Sequence, residues 1–163
     1  MRKDYEIILN LIPENSKVLD IGCSDGELIT YLENKGISAQ GVELSQEKVI
    51  KCLEKGLDVI HGDINLIVED FPFNQFDYCL LTQTIQAVQE PDQLLNTLKK
   101  VSKNIIVSFN NSARLSKISN FLLTGSFDSL LKKANSDHWY NTDYIHPCSC
   151  LLYTSDAADE YSR

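Results

Sequence analysis

The 163-residue sequence predicts an α/β fold: a doubly wound, mostly parallel sheet with helices on both faces. Three observations carry this prediction. Short apolar runs alternate with amphipathic ones over most of the chain. The short runs are almost continuously apolar, as strands buried on both faces must be. The first of them, Val18-Leu19-Asp20-Ile21, passes directly into the small-residue turn Gly22-Cys23-Ser24-Asp25-Gly26.

Each element follows from local chemistry. A leading helix over 4–11 stops short of Pro13, because a proline pushes the residue before it out of the helical region. A strand over 17–21 comes next, and then a helix over 27–34 with Leu28, Ile29 and Leu32 on one face. A strand over 39–43, a helix over 46–55 and a strand over 58–61 complete a βαβαβ unit. The turn-rich Phe73-Asn74-Gln75 leads into a fourth strand over 77–81, and a helix over 92–101 into a fifth over 105–109. Parallel sheets of this kind bind ligands beyond the carboxyl ends of their strands. Residues 20–26, Glu43, Gly62-Asp63 and 81–86 are therefore expected to share one crevice.

Composition narrows the partners. At 43% hydrophobic the chain is long enough for one core and too short for two. Its net charge of −8 opposes nucleic acid, whose binding begins with Lys and Arg neutralising phosphates; its basic residues gather no further than pairs such as Lys99-Lys100 and Lys132-Lys133. The five cysteines, Cys23, Cys52, Cys79, Cys148 and Cys150, include no CxxC pair and no metal-ligand spacing. They read as reduced thiols of a cytoplasmic protein, Cys23 and Cys79 as packing residues, and no metal is expected. The first residues lack the apolar core of a signal peptide, and no segment approaches transmembrane length, so no membrane role is expected.

The loop after the first strand reads as a cofactor site, since small residues let a ligand lie against backbone with no Cβ in the way. A dinucleotide fingerprint wants glycine at its first, third and sixth positions; here these are Gly22, Ser24 and Glu27. Asp25 and Glu27 would repel a pyrophosphate, and no Lys or Arg is nearby in sequence. S-adenosylmethionine suits better, having a ribose, an adenine and cationic groups but no phosphate. In that reading Asp20, Gly22, Ser24 and Gly26 form the floor, and Glu43 accepts from both ribose hydroxyls. Asp63 accepts from the adenine amine while Ile64 packs on the ring, although an aspartate there caps a helix equally well. Gln83 and Gln86 are candidates for orienting the methionyl end or an acceptor; the competing reading is capping by Thr82 or Thr84. No triad is seen, and methyl transfer from a sulfonium needs alignment more than a base. His61 reads as a hydrogen-bonded edge residue.

In order and at similar spacing, Val18 to Leu28, Gly41-Val42-Glu43, Cys52 with Gly56, Val59 to Asp63, Phe76-Asp77-Tyr78, Gln83 to Val88, Ile106 to Phe109, Trp139 to Thr142 and Ile145-His146 resemble the MetW family of the class I S-adenosylmethionine-dependent methyltransferases. The resemblance covers about residues 4–148 and implies a Rossmann-like domain acting in methionine biosynthesis with a homoserine O-acyltransferase. Two readings follow from it. The chain is a non-catalytic or sensing partner of that acyltransferase, or it methylates a small molecule. The 139–146 stretch would wall an acceptor pocket or form a partner surface. Three positions depart from the family pattern: Ser24 stands where glycine is usual, His61 where glutamine is common, and Asn110 where a proline precedes Asn111.

Residues 150–160 resemble no part of this fold and resemble the translation of a transposon-based sequencing-library adapter, so residues 150–163 are expected to be read-through. The expected organisation is a domain over 1–149, lacking the family's last strands, followed by a non-native tail. Without that tail the chain loses Asp156, Asp159, Glu160 and Arg163 and stays acidic. Such a fragment would leave the edge at Ile105-Ile106-Val107 open and is expected to be poorly soluble.

Overall fold

A computed structural model describes residues 1–88 and 90–109. Five parallel strands lie in the order β3-β2-β1-β4-β5: β1 (Lys17–Ile21), β2 (Ser38–Glu43), β3 (Val59–His61), β4 (Phe76–Thr82) and β5 (Ser102–Ser108). The strand order reverses between β1 and β4, and at such a switch point the loops of the two halves diverge to leave a crevice.

Successive side chains of β1 enter different cores, as the pleat requires. Val18 joins a cluster with Ile8 and Ile12 of α1 (Lys3–Leu11), Leu28, Ile29 and Leu32 of α2 (Glu27–Asn34), and Val49 and Cys52 of α3 (Gln46–Glu54). Leu19 and Ile21 join the opposite cluster, with Val42, Phe76, Cys79, Leu81, and Leu94, Leu98 and Val101 of α5 (Pro91–Val101). Burial of this kind contributes roughly 25 cal/mol per Å² of apolar surface, so a doubly covered strand carries much of the stability.

The expected elements are present, with shifted ends. Strand β5 begins at Ser102, three residues before the expectation and directly after α5, because the Ser102 hydroxyl donates to Leu98 O and its backbone is already extended. Helix α5 begins at Pro91, whose ring pre-sets the first helical φ. A short helix α4 (Ile64–Ile67), which follows Asp63 as the capping alternative for that residue expects, and 3-10 turns at Val68–Asp70 and Ile85–Ala87 complete the described elements. Among the described residues β3 and β5 are the sheet edges, and in β5 Ile105, Ile106 and Val107 are half-buried. No described helix is long and apolar enough to cross a membrane. The expectations for Asn110, Asn111, Lys132-Lys133, the 139–146 stretch, Cys148, Cys150 and the 150–163 tail lie outside the described residues.

Candidate functional site

The loop between β1 and α2 is built from left-handed backbone. Gly22, Ser24 and Gly26 have φ of 74°, 54° and 76°. At Gly26 a Cβ would run into Leu57 Cδ1 and would carry the strain of a positive φ, so glycine is favoured. Ser24 adopts a conformation that glycine would take without strain; an L-residue pays on the order of 1 kcal/mol for it. The Gly22 and Cys23 amides both donate to Val42 O, at 2.8 and 3.2 Å, and hold the loop against β2.

Two carboxylates are buried beside this loop. Glu43 is 1% exposed: its Oε2 accepts the Ser24 amide at 2.8 Å and its Oε1 the Ser45 amide at 2.9 Å. Each oxygen retains a lone pair for a further donor. Asp20 is 2% exposed, and its Oδ1 has no hydrogen-bond partner among the described residues. Burial, reinforced by neighbouring Glu43 and partly opposed by Arg2, pushes the Asp20 carboxyl up to about 7. An unpaired buried acceptor costs about 1–3 kcal/mol, so a donor or cation arriving there would be favoured.

Gly22, Glu43, Asp63 and Ile64 come together around one cavity at the strand ends, with Leu44, Asn65 and Thr84 completing its walls. Asp20, Ser24 and Gly26 do not line it; Ser24 and Gly26 shape the loop. The Asp63 Oδ1 accepts from the Asn65 amide at 2.9 Å and from Asn65 Nδ2 at 2.7 Å, so Asp63 caps α4. Gln83 does not line the cavity: in a left-handed conformation of its own, it donates through Nε2 to Asp4 at 3.4 Å. His61 is exposed with Nε2 2.9 Å from Leu44 O, an edge residue as expected.

Two contributors escape a reading along the chain. Thr84 is buried and does not cap the following turn; its hydroxyl donates to Ile21 O at 2.8 Å. Lys55 Nζ donates to Asp25 O at 2.6 Å. The loop therefore has a lysine beside it in space, although none is near in sequence, because α3 ends beneath it. Among the described residues no group of three or more His, Cys, Asp or Glu is placed to hold a metal ion.

Residues 2–160 match the family model described as "Methionine biosynthesis protein MetW". The chain belongs to the MetW family. Over 148 residues this MetW-family chain is 33% identical to the "Bifunctional methionine biosynthesis protein MetXA/MetW" of Rhodopirellula baltica; the match covers 85% of the chain and 24% of that relative, so the chain spans about a quarter of its length. Among solved structures it resembles a SAM-dependent methyltransferase from Archaeoglobus fulgidus (TM-score 0.61, 22% identity, 74% of this chain and 60% of that one). It is also similar to one from Aquifex aeolicus (TM-score 0.59, 22% identity, 81% and 79%). The MetW-family domain thus has the Rossmann-like fold of S-adenosylmethionine-dependent methyltransferases.

Proposed function

We propose that this MetW-family domain binds S-adenosylmethionine in the crevice at the ends of β1, β2 and β3, and acts in methionine biosynthesis together with a homoserine O-acyltransferase. The observation that carries the reading is the pair of buried carboxylates. A crevice lined by Glu43 and Asp63, with an unsatisfied buried oxygen at Asp20 near the end of β1, suits a ligand that is cationic and rich in hydroxyl donors, and disfavours a pyrophosphate. Glu43 would accept from the ribose hydroxyls, Ile64 would pack on the adenine, and the capping Asp63 has a second carboxylate oxygen to offer its amine. Asp20 and Gly22 would flank the methionyl end. Bound there, S-adenosylmethionine would supply an electrophilic methyl group. The partner proposal is supported by the Rhodopirellula baltica relative, whose name joins MetXA and MetW in one bifunctional protein.

Calorimetry of the chain with S-adenosylmethionine, alone and with a homoserine O-acyltransferase, tests both parts. Saturable binding is expected, and Glu43→Ala should weaken it by about 1–3 kcal/mol. Unchanged affinity in that variant would remove Glu43 from the site. Unchanged affinity and unchanged acyltransferase activity on mixing would remove the partner. Formation of S-adenosylhomocysteine from a supplied small acceptor would favour a small-molecule methyltransferase instead.

A further inference from the structure

Asp20 and Glu43 stand on the same face of the sheet. In the parallel register Asp20 pairs with Gly41, and Glu43 lies two residues further along β2, so both side chains emerge on the side that carries α1, α2 and α3. Neither forms an ion pair within the described residues, where the salt bridges are Arg2–Asp4, Lys51–Glu47 and Lys103–Asp77. Two full negative charges side by side and out of water repel strongly.

Four groups couple electrostatically to Asp20: Glu43 on β2, Tyr5 on α1, Cys23 in the loop, and Arg2 ahead of α1. Arg2 is the one cation among them, and it is also committed elsewhere: its guanidinium pairs with Asp4, donates to the Tyr5 hydroxyl and sits 4.4 Å from the Tyr5 ring centroid. Strand β4 offers apolar Leu80 opposite Asp20. The two carboxyls are not equivalent. Glu43 receives two backbone N–H donors, whereas Asp20 Oδ1 receives none.

We propose that Asp20 and Glu43 act as a proton-exchanging counter-ion, in which Asp20 keeps a proton while the crevice is empty and releases it to solvent when a ligand bearing a sulfonium or ammonium cation enters. The inference rests on the binding reading above and adds a stoichiometry to it. Asp20 passes from carboxylic acid to carboxylate, one proton leaves to the buffer, and the incoming cation replaces its charge. The upward push on the Asp20 carboxyl from burial and from Glu43 agrees with this.

Calorimetry of the full chain in buffers of different ionisation enthalpy, between about pH 6 and 7.5, measures the protons released per ligand. S-adenosylmethionine should release close to one proton at about pH 6 and less than half at about pH 7.5, with its affinity falling up to about tenfold per pH unit on the acid side. Adenosine, which has neither cation, should bind without release. Asp20→Asn should abolish the release while keeping adenosine binding. Glu43→Gln, which removes the repelling charge and keeps the shape, should displace the release toward lower pH and serves where Asp20→Asn fails to fold. Binding of S-adenosylmethionine with no net proton, or an unmoved midpoint in Glu43→Gln, would overturn this inference and leave the binding reading standing. No binding of either compound at any pH would overturn both.

Discussion

The hydroxyl of Thr84 donates to the carbonyl oxygen of Ile21 at 2.8 Å, joining the turn after β4 to the last residue of β1 across 63 positions of sequence. The bond spans the switch point of the sheet and sets the wall of the crevice beside Gly22. Thr84→Val keeps the shape and removes the donor, leaving a buried carbonyl lone pair unmet. It should destabilise the fold by about 1 kcal/mol in urea unfolding and weaken S-adenosylmethionine binding, while Thr84→Ser restores both. A valine variant as stable as the parent would show the bond to be incidental.

The same contact explains why residue 22 must be glycine. A Cβ on Gly22 would stand 2.7 Å from Thr84 Oγ1 and 3.0 Å from Thr84 Cγ2, whereas at Gly36, with a similar positive φ, it would meet nothing within 4 Å. Alanine at either position carries the left-handed strain, on the order of 1 kcal/mol. Gly22→Ala adds overpacking against a side chain held by its own hydrogen bond, roughly 1–3 kcal/mol more. Thermal unfolding of the two variants should differ by that margin, and equal losses would mean that Thr84 simply swings aside.

Stability should depend on pH through Asp20. Its carboxyl is raised in the folded state from 3.8 to about 7, so the folded chain holds a proton that the unfolded chain has lost. The contribution is fully present below the unfolded value and is lost as pH rises through about 7, at up to about 1.4 kcal/mol per pH unit. Asp20→Asn has no proton to lose. Its urea midpoint relative to the parent should therefore be higher at about pH 8 than at about pH 5, and a constant difference between the two would argue against a protonated Asp20.

The thiols at Cys23, Cys52 and Cys79 should resist alkylation in the native protein. All three are buried, and burial pushes each thiol up, Cys79 to about 11, so little reactive thiolate forms at neutral pH. Cys52 in addition donates through Sγ to Ser24 O at 3.3 Å. Peptide mapping after brief iodoacetamide treatment should find these three unmodified until denaturant is added. Rapid native modification of Cys23 would mean that the loop opens readily.

Much of the architecture was legible along the chain because its determinants are local. The apolar run ending at Ile21, the small residues of the loop and the amphipathic face of Leu28, Ile29 and Leu32 each declare an element within a few residues. The position of Glu43 at a strand end followed from the same periodicity. The true start of β5 did not, because Ser102 and Lys103 are polar, and it shows only once Ser102 pairs with Phe76 of β4.

By itself, then, the sequence determined the order of strands and helices along the chain, the small-residue loop after β1 and the acidic residues near it, all of which depend on neighbours in the chain. Only the tertiary structure decided that Thr84 reaches Ile21, that Lys55 reaches Asp25, that Asp63 spends one oxygen on Asn65, that Gln83 turns toward Asp4, and that Asp20 is shut away beside Glu43 with an oxygen unmet. For most of these the partners lie many residues apart in the chain, and whether a polar atom is satisfied or buried depends on which strands become neighbours, a quantity that no local pattern encodes.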